Sequence, residues 1–259
     1  GYSLGESFLP MFFVGFLVWL PWRSVWLFSA IFPIIVAVAI YFMLKDERSP
    51  KSFKEDKVSF GIGGRHWSRS QVLKSSIFWF AFPGLLGLPA FGTVLFFQQV
   101  NYAVLKGWDH LSMVKAYPLF TIMAVGVSFL SGSLIDRYGA TKLIGLYQIP
   151  AVFGFYMFSI CETIMGFSVG LILFAVTAGS NNIIPNAFWA ECFGTSHLGR
   201  IKSLAAGIMV IGSALGPLIS GVLIDVGFNL NSQYILFATY FILSSALLFT
   251  CTRKILVNY

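Results

Sequence analysis

The sequence predicts an all-α polytopic membrane protein, and three observations carry that prediction. Of 259 residues, 57% are hydrophobic and only 10% charged, too few charges to cover a water-soluble surface. The apolar residues fall in runs of about 20, the length a helix needs to cross a bilayer core. The 17 Lys and Arg residues gather between alternate runs rather than spreading along the chain. The net charge of +7 is therefore a topological signal, and no nucleic-acid partner is expected.

Eight runs can be drawn. The first, 1–20, holds Glu6, the single acid placed well inside a run, and the second, 22–44, follows Pro21. Residues 45–73 form the only long polar segment, charged and Gly-rich, and a solvated tether is expected there. The third run, 74–99, carries Pro83, Gly84, Gly87, Pro89, Gly92 and Thr93, which predicts a kinked or partly unwound helix ending near the outer mouth at Gln98. The fourth and fifth runs cover 113–135 and 143–161. In the sixth, 165–190, Thr177, Asn181, Asn182 and Asn186 are polar in an apolar setting, and Pro185 removes the amide that would serve the carbonyl of Asn181. Thr177 and Asn181 share one helical face, while Asn182 and Asn186 share another. A broken polar helix at that depth suits the binding of a cargo. The seventh run, 201–224, spaces Gly212, Gly216, Pro217 and Gly221 so that backbones can approach, and the eighth covers 232–252.

If the first run leads outward, fourteen of the seventeen cations fall on the cytoplasmic side, with Arg23, Lys106 and Lys115 outside. The C-terminus is then cytoplasmic, and a bacterial inner membrane or plasma membrane is the expected location. Trp19, Trp22, Trp26 and Trp108 are expected at the outer headgroups, Trp79 and Trp189 at the inner ones. Cys161, Cys192 and Cys251 lack metal-ligand spacing and are expected to be packing thiols; His66, His110 and His197 fall in loops. The chain opens Gly1-Tyr2-Ser3, without an initiator Met or a basic leader, so a fragment is expected and a signal peptide is not.

Between the fourth and fifth runs, Gly132-Ser-Leu-Ile-Asp136-Arg137-Tyr-Gly139-Ala-Thr-Lys142 resembles the GxLxDRxGRK loop of the major facilitator superfamily, with Ala140-Thr141 where an Arg usually stands. Gly212-Ser-Ala-Leu-Gly216-Pro217-Leu-Ile-Ser-Gly221 is similar to a small-residue pattern of the same family, and Phe193 to Arg200 is similar to the loop before it. Gly5 and Pro10 stand five apart, as Gly212 and Pro217 do, so the first two runs echo the last two.

The resemblance implies helices five to twelve of a twelve-helix bundle, a major-facilitator-type fold lacking its first four helices. It makes 1–44 the last two helices of the N-terminal half, 45–73 the cytoplasmic central linker and 74–259 the six-helix C-terminal half. In this family the first and fourth helices of each half line the central cavity. That points to Asn181, Thr177, Asn182, Thr93 and Gln98 as solute contacts. Gly132, Asp136, Arg137, Gly139 and Lys142 become a gating motif, and Gly212, Gly216, Pro217 and Gly221 a helix-packing one. Glu6 is the candidate for proton coupling, because an unpaired carboxylate at midplane costs several kcal/mol and tends to stay protonated.

The function expected is secondary active transport of a small solute by alternating access, an organic anion being one candidate and protons the candidate coupling ion. Its partners are then the solute, the lipid bilayer and the missing N-terminal helices. A channel and a non-transporting membrane sensor are the alternatives. An enzyme is not expected: Gly166-Phe-Ser168-Val-Gly170 matches hydrolase spacing but has no strand before it and no His at its depth. Gly61-Ile-Gly63-Gly64 lacks the context of a nucleotide loop, and no spacing suits a metal or other cofactor.

Overall fold

The computed structural model describes residues 19–44 and 59–258, together with Phe13 and Phe16. Gly5, Glu6 and Pro10 of the first run, and linker residues 45–58, lie outside the described residues. The chain divides into two compact units, Gly1–Lys57 and Val58–Tyr259.

Within the first unit, α1 (Trp22–Leu44) spans 23 residues with Pro33 inside. Pro21 stands just ahead of it, where a missing amide costs nothing, and its carbonyl accepts the amides of Ser24 and Val25.

The second unit opens with α2 (Arg69–Lys74), closed by a reciprocal capping box between Ser68 and Gln71, and α3 (Ser76–Gly87), capped by the Ser75 side chain. A π-helical turn, Leu88–Gly92, separates α3 from α4 (Thr93–Phe97) and α5 (Gln99–Lys106). Then come α6 (His110–Val114), α7 (Tyr117–Tyr138) and the short α8 (Ala140–Leu143). The unit ends with α9 (Ile149–Ile160), α10 (Ile164–Asn181), α11 (Ile184–Phe193), α12 (Leu198–Asp225) and α13 (Leu230–Asn258). Six helical stretches among the described residues are long and apolar enough to cross a membrane, and α9 is a shorter apolar helix. The run expected over 143–161 becomes a regular helix only at Ile149, because Pro150 fits a first turn and not a helix interior.

Packing is sequential around the unit: α7 lies on α10, α10 on α9, α9 on α13, α13 on α3, and α12 against the π turn. Two apolar cores result. One, at the end where α8 lies, centres on Phe78, Phe188, Trp189 and Phe193; the other centres on Phe155, Phe158, Phe167 and Tyr234. Trp189, expected at a headgroup level, is 2% exposed and sits inside the first core, whereas Trp79 is 55% exposed. The three cysteines are all buried and unbridged.

The π turn follows from the sequence. Pro89 has no amide to donate and leaves one intrahelical bond unmade, which the wider turn accommodates. Gly216 of α12 then backs onto the Ala90 carbonyl so closely that any Cβ would collide with it. Side chains attend the carbonyls just before the widened turn. Tyr240 donates its hydroxyl to the Pro83 carbonyl at 2.8 Å, and both Tyr147 and Gln148 donate to that of Gly84. The Gln148 oxygen in turn accepts from Ser244 at 2.7 Å. Gln148 is fully buried, so this knot binds α3, α9 and α13 away from water.

Replacing Gln148 by Leu leaves the Ser244 hydroxyl without this acceptor and is expected to lower stability by about 1–3 kcal/mol. Thermal unfolding in detergent checks it; an unchanged midpoint means that the knot does not hold these helices.

Candidate functional site

The two helices that the resemblance assigns to the cavity are both interrupted. In the first, the π turn is followed by Thr93, whose hydroxyl donates back to the Pro89 carbonyl. Beside it lies a hollow of about 350 Å³, lined by Thr93, Phe97, Ser213, Ala214, Pro217 and Leu218. Thr93 and Pro217, singled out for different reasons in the sequence, thus share one wall. In the second, α10 stops at Asn181 and α11 restarts at Ile184, with Pro185 in its first turn. The Asn186 side-chain amide donates to the Asn182 carbonyl at 2.9 Å, a bond across the break.

The other predicted solute contacts are not brought to that hollow. Thr177 is fully buried between helices, and its hydroxyl has no hydrogen-bond partner among the described residues. Asn181 is half-buried and Asn182 exposed, so the pair Thr177 and Asn181 does not open together onto free space. Gln98 is 7% exposed, and its side-chain oxygen accepts from Asn101 at 2.7 Å, which takes it out of the mouth and into local packing. The neighbouring Gln99 accepts from the Tyr117 hydroxyl at 2.9 Å. Near this end, burial pushes the Tyr102 phenol far above its ordinary range, so it remains a donor, here to the Phe158 carbonyl. Glu6 lies outside the described residues.

At the opposite end, Gly139 terminates α7 with φ +81° and turns the chain into α8. The next two amides, of Ala140 and Thr141, donate to the two oxygens of one carboxylate, Glu191 on α11, at 2.7 and 2.8 Å. The Thr141 hydroxyl adds a third bond at 2.8 Å, and its carbonyl accepts from Thr252 of α13. A carboxylate receiving consecutive amides is a strong, charge-assisted arrangement. The acid that holds this loop is therefore Glu191, which the sequence did not single out. Asp136 and Lys142 are exposed, and Arg137 rests over the Tyr138 ring, 5.2 Å from its centroid. A Cβ on Gly132 or Gly221 would meet nothing beyond its own helix within 4 Å, whereas one on Gly212 would crowd Leu86 and one on Gly216 the Ala90 carbonyl. The Ser168 hydroxyl of the hydrolase-like string donates to the Ile164 carbonyl at 2.8 Å, an ordinary helix contact.

These features define a multi-pass α-helical membrane protein with two interrupted membrane helices and a loop tied to the neighbouring helix at one end. The Major Facilitator Superfamily model matches residues 1–217. The chain belongs to that superfamily, whose members are transporters and not enzymes. It is similar to the agnestins efflux protein AgnL12 of Paecilomyces divaricatus, with 31% identity over 141 residues, 54% of this chain. The match spans 31% of that relative's length.

Because Glu191 alone receives both amides, Glu191→Gln is expected to weaken the α7–α8 turn more than Asp136→Asn does. Limited proteolysis in detergent reads it: cleavage near 139–142 should rise several-fold for the first variant only.

Proposed function

We propose that the protein is a secondary active transporter that moves a small organic solute by alternating access. The observation that carries this reading is the pair of interruptions, the π turn at Leu88–Gly92 and the break at 182–183, in the two helices assigned to the cavity. Helices widened or broken there expose polar backbone and side-chain groups to a solute and bend readily during gating. In this reading Thr93, Ser213, Asn181 and Asn182 contribute solute contacts from the C-terminal half, with the N-terminal helices supplying the rest. Residues 1–44 are the last helices of that half and 45–73 the central connection. The bias of the cations puts Glu191 and the motif loop on the cytoplasmic side, where they latch one face shut. Thr177 supports the helix that carries the asparagines rather than touching the solute.

The named relative is an efflux protein, so export is the direction proposed. An organic anion is the first solute class to test, and Glu6 carries the coupling proton. Full-length protein in proteoliposomes, given a panel of radiolabelled organic acids and uncharged aromatics, is expected to show counterflow of at least one. Leak without counterflow points to a channel, and no flux despite correct insertion points to a sensor. Asn182→Ala should raise KM about tenfold, the loss of one good hydrogen bond. Glu6→Gln should abolish stimulation by a pH gradient while leaving counterflow intact; stimulation that survives removes Glu6 from the mechanism.

A further inference from the structure

Residues 59–68, expected to belong to a solvated tether, are docked on the turn between α11 and α12. The Ser59 amide donates to the Thr195 hydroxyl at 3.1 Å, and the Thr195 amide returns a bond to the Ser59 carbonyl at 3.0 Å. The Ile62 amide donates to the Cys192 carbonyl at 2.9 Å, and that of Trp67 to the Phe193 carbonyl at 3.1 Å. The segment also closes on itself, Gly61 donating to the Arg65 carbonyl and the Trp67 indole to that of Ile62. A Cβ on Gly61 would stand 2.6 Å from backbone atoms of Cys192, Phe193 and Gly194. Ile62 and Trp67 enter the same apolar core as Cys192, Phe193 and Trp189, and Trp67 meets Phe193 edge-on at 5.5 Å. Arg65 covers the other ring surface, 4.2 Å from the Trp67 centroid.

The residue before Cys192 is Glu191, the acid that holds the motif loop. The last turn of α11 is thus gripped from two sides, by the loop through the Glu191 carboxylate and by the segment 59–68 through the carbonyls of Cys192 and Phe193. We infer that residues 59–68 are a clasp that positions Glu191, so that the connection between the two halves of the transporter acts on the motif loop. Backbone bonds set the clasp, and the burial of Ile62, Trp67, Cys192 and Phe193 keeps water from competing for the two at its centre, so it moves as one body with α11. A pull or a push on the connection then reaches the amides of Ala140 and Thr141 through a single residue. The functional consequence rests on the carrier reading, whereas the physical coupling does not.

Hydrogen exchange of the full-length protein in lipid nanodiscs tests it. Gly61→Val forces the clasp off the α11 turn, and exchange at Ala140 and Thr141 is expected to rise about tenfold while α9 stays protected. Should that variant fail to fold, Thr195→Val, which removes the hydroxyl that accepts the Ser59 amide and donates to the Ser59 carbonyl, decides by the same criterion with a smaller rise. A rise confined to 59–68 and 192–195, or no rise anywhere, overturns the proposal. In flux assays Gly61→Val should lower kcat with KM unchanged. A wild-type protein without counterflow overturns the carrier reading and leaves the exchange result standing.

Discussion

One constraint governs the molecule: a backbone amide or carbonyl inside a bilayer must find its partner within the protein. A Pro in a membrane helix removes a donor, and around Pro89 the fold answers locally. The π turn takes up Pro89, with Tyr240, Tyr147 and Gln148 serving the carbonyls just before it. At the 182–183 break the Asn186 side chain adds a bond to the Asn182 carbonyl. Several polar side chains of this unit thus attend the helices at their interruptions. On the carrier reading, such interruptions let helices present polar atoms to a solute and bend.

The two ends of the second unit are held by different physics. Around Phe155 and Phe158 the contacts are aromatic, with the Tyr234 ring tilted against both and the Tyr102 ring edge-on to Tyr234, and few polar bonds between helices. Around Trp189 the apolar core is bordered by charge-assisted and backbone bonds that converge on the last turn of α11. Dispersion contacts tolerate sliding better than directional bonds do. The aromatic end can therefore repack by small shifts, while the other end changes state by breaking and remaking particular bonds.

Much of this architecture was legible in the chain. The apolar runs, the Pro and Gly density at 83–92 and Pro185 after the asparagines all act through backbone chemistry that a local window contains. The site was less legible. Glu191 looks in sequence like one acid near a helix end, and only the fold brings the amides of Ala140 and Thr141 to it across the bundle. Gln148 likewise carries no local mark that three helices will meet at its side chain. Trp189 was misplaced because a lone Trp near a helix end reads as a headgroup anchor, while its partner Phe78 comes from the distant α3. Gly61 and its neighbours read as linker because their bonding partners, like Thr195, stand up to 136 positions away.

That separation has a consequence for how the protein is made. A ribosome adding about 5–20 residues per second completes Thr195 on the order of ten seconds after Ser59. During that interval the helices from α3 to α10 are inserted while residues 59–68 have nothing to grip, and their amides remain in water. The clasp is therefore a late event in biogenesis, closing only once α11 has emerged. A nascent chain stalled before α11 would carry Ile62 and Trp67 uncovered, a ready mark by which quality control could distinguish an unfinished half from a completed one.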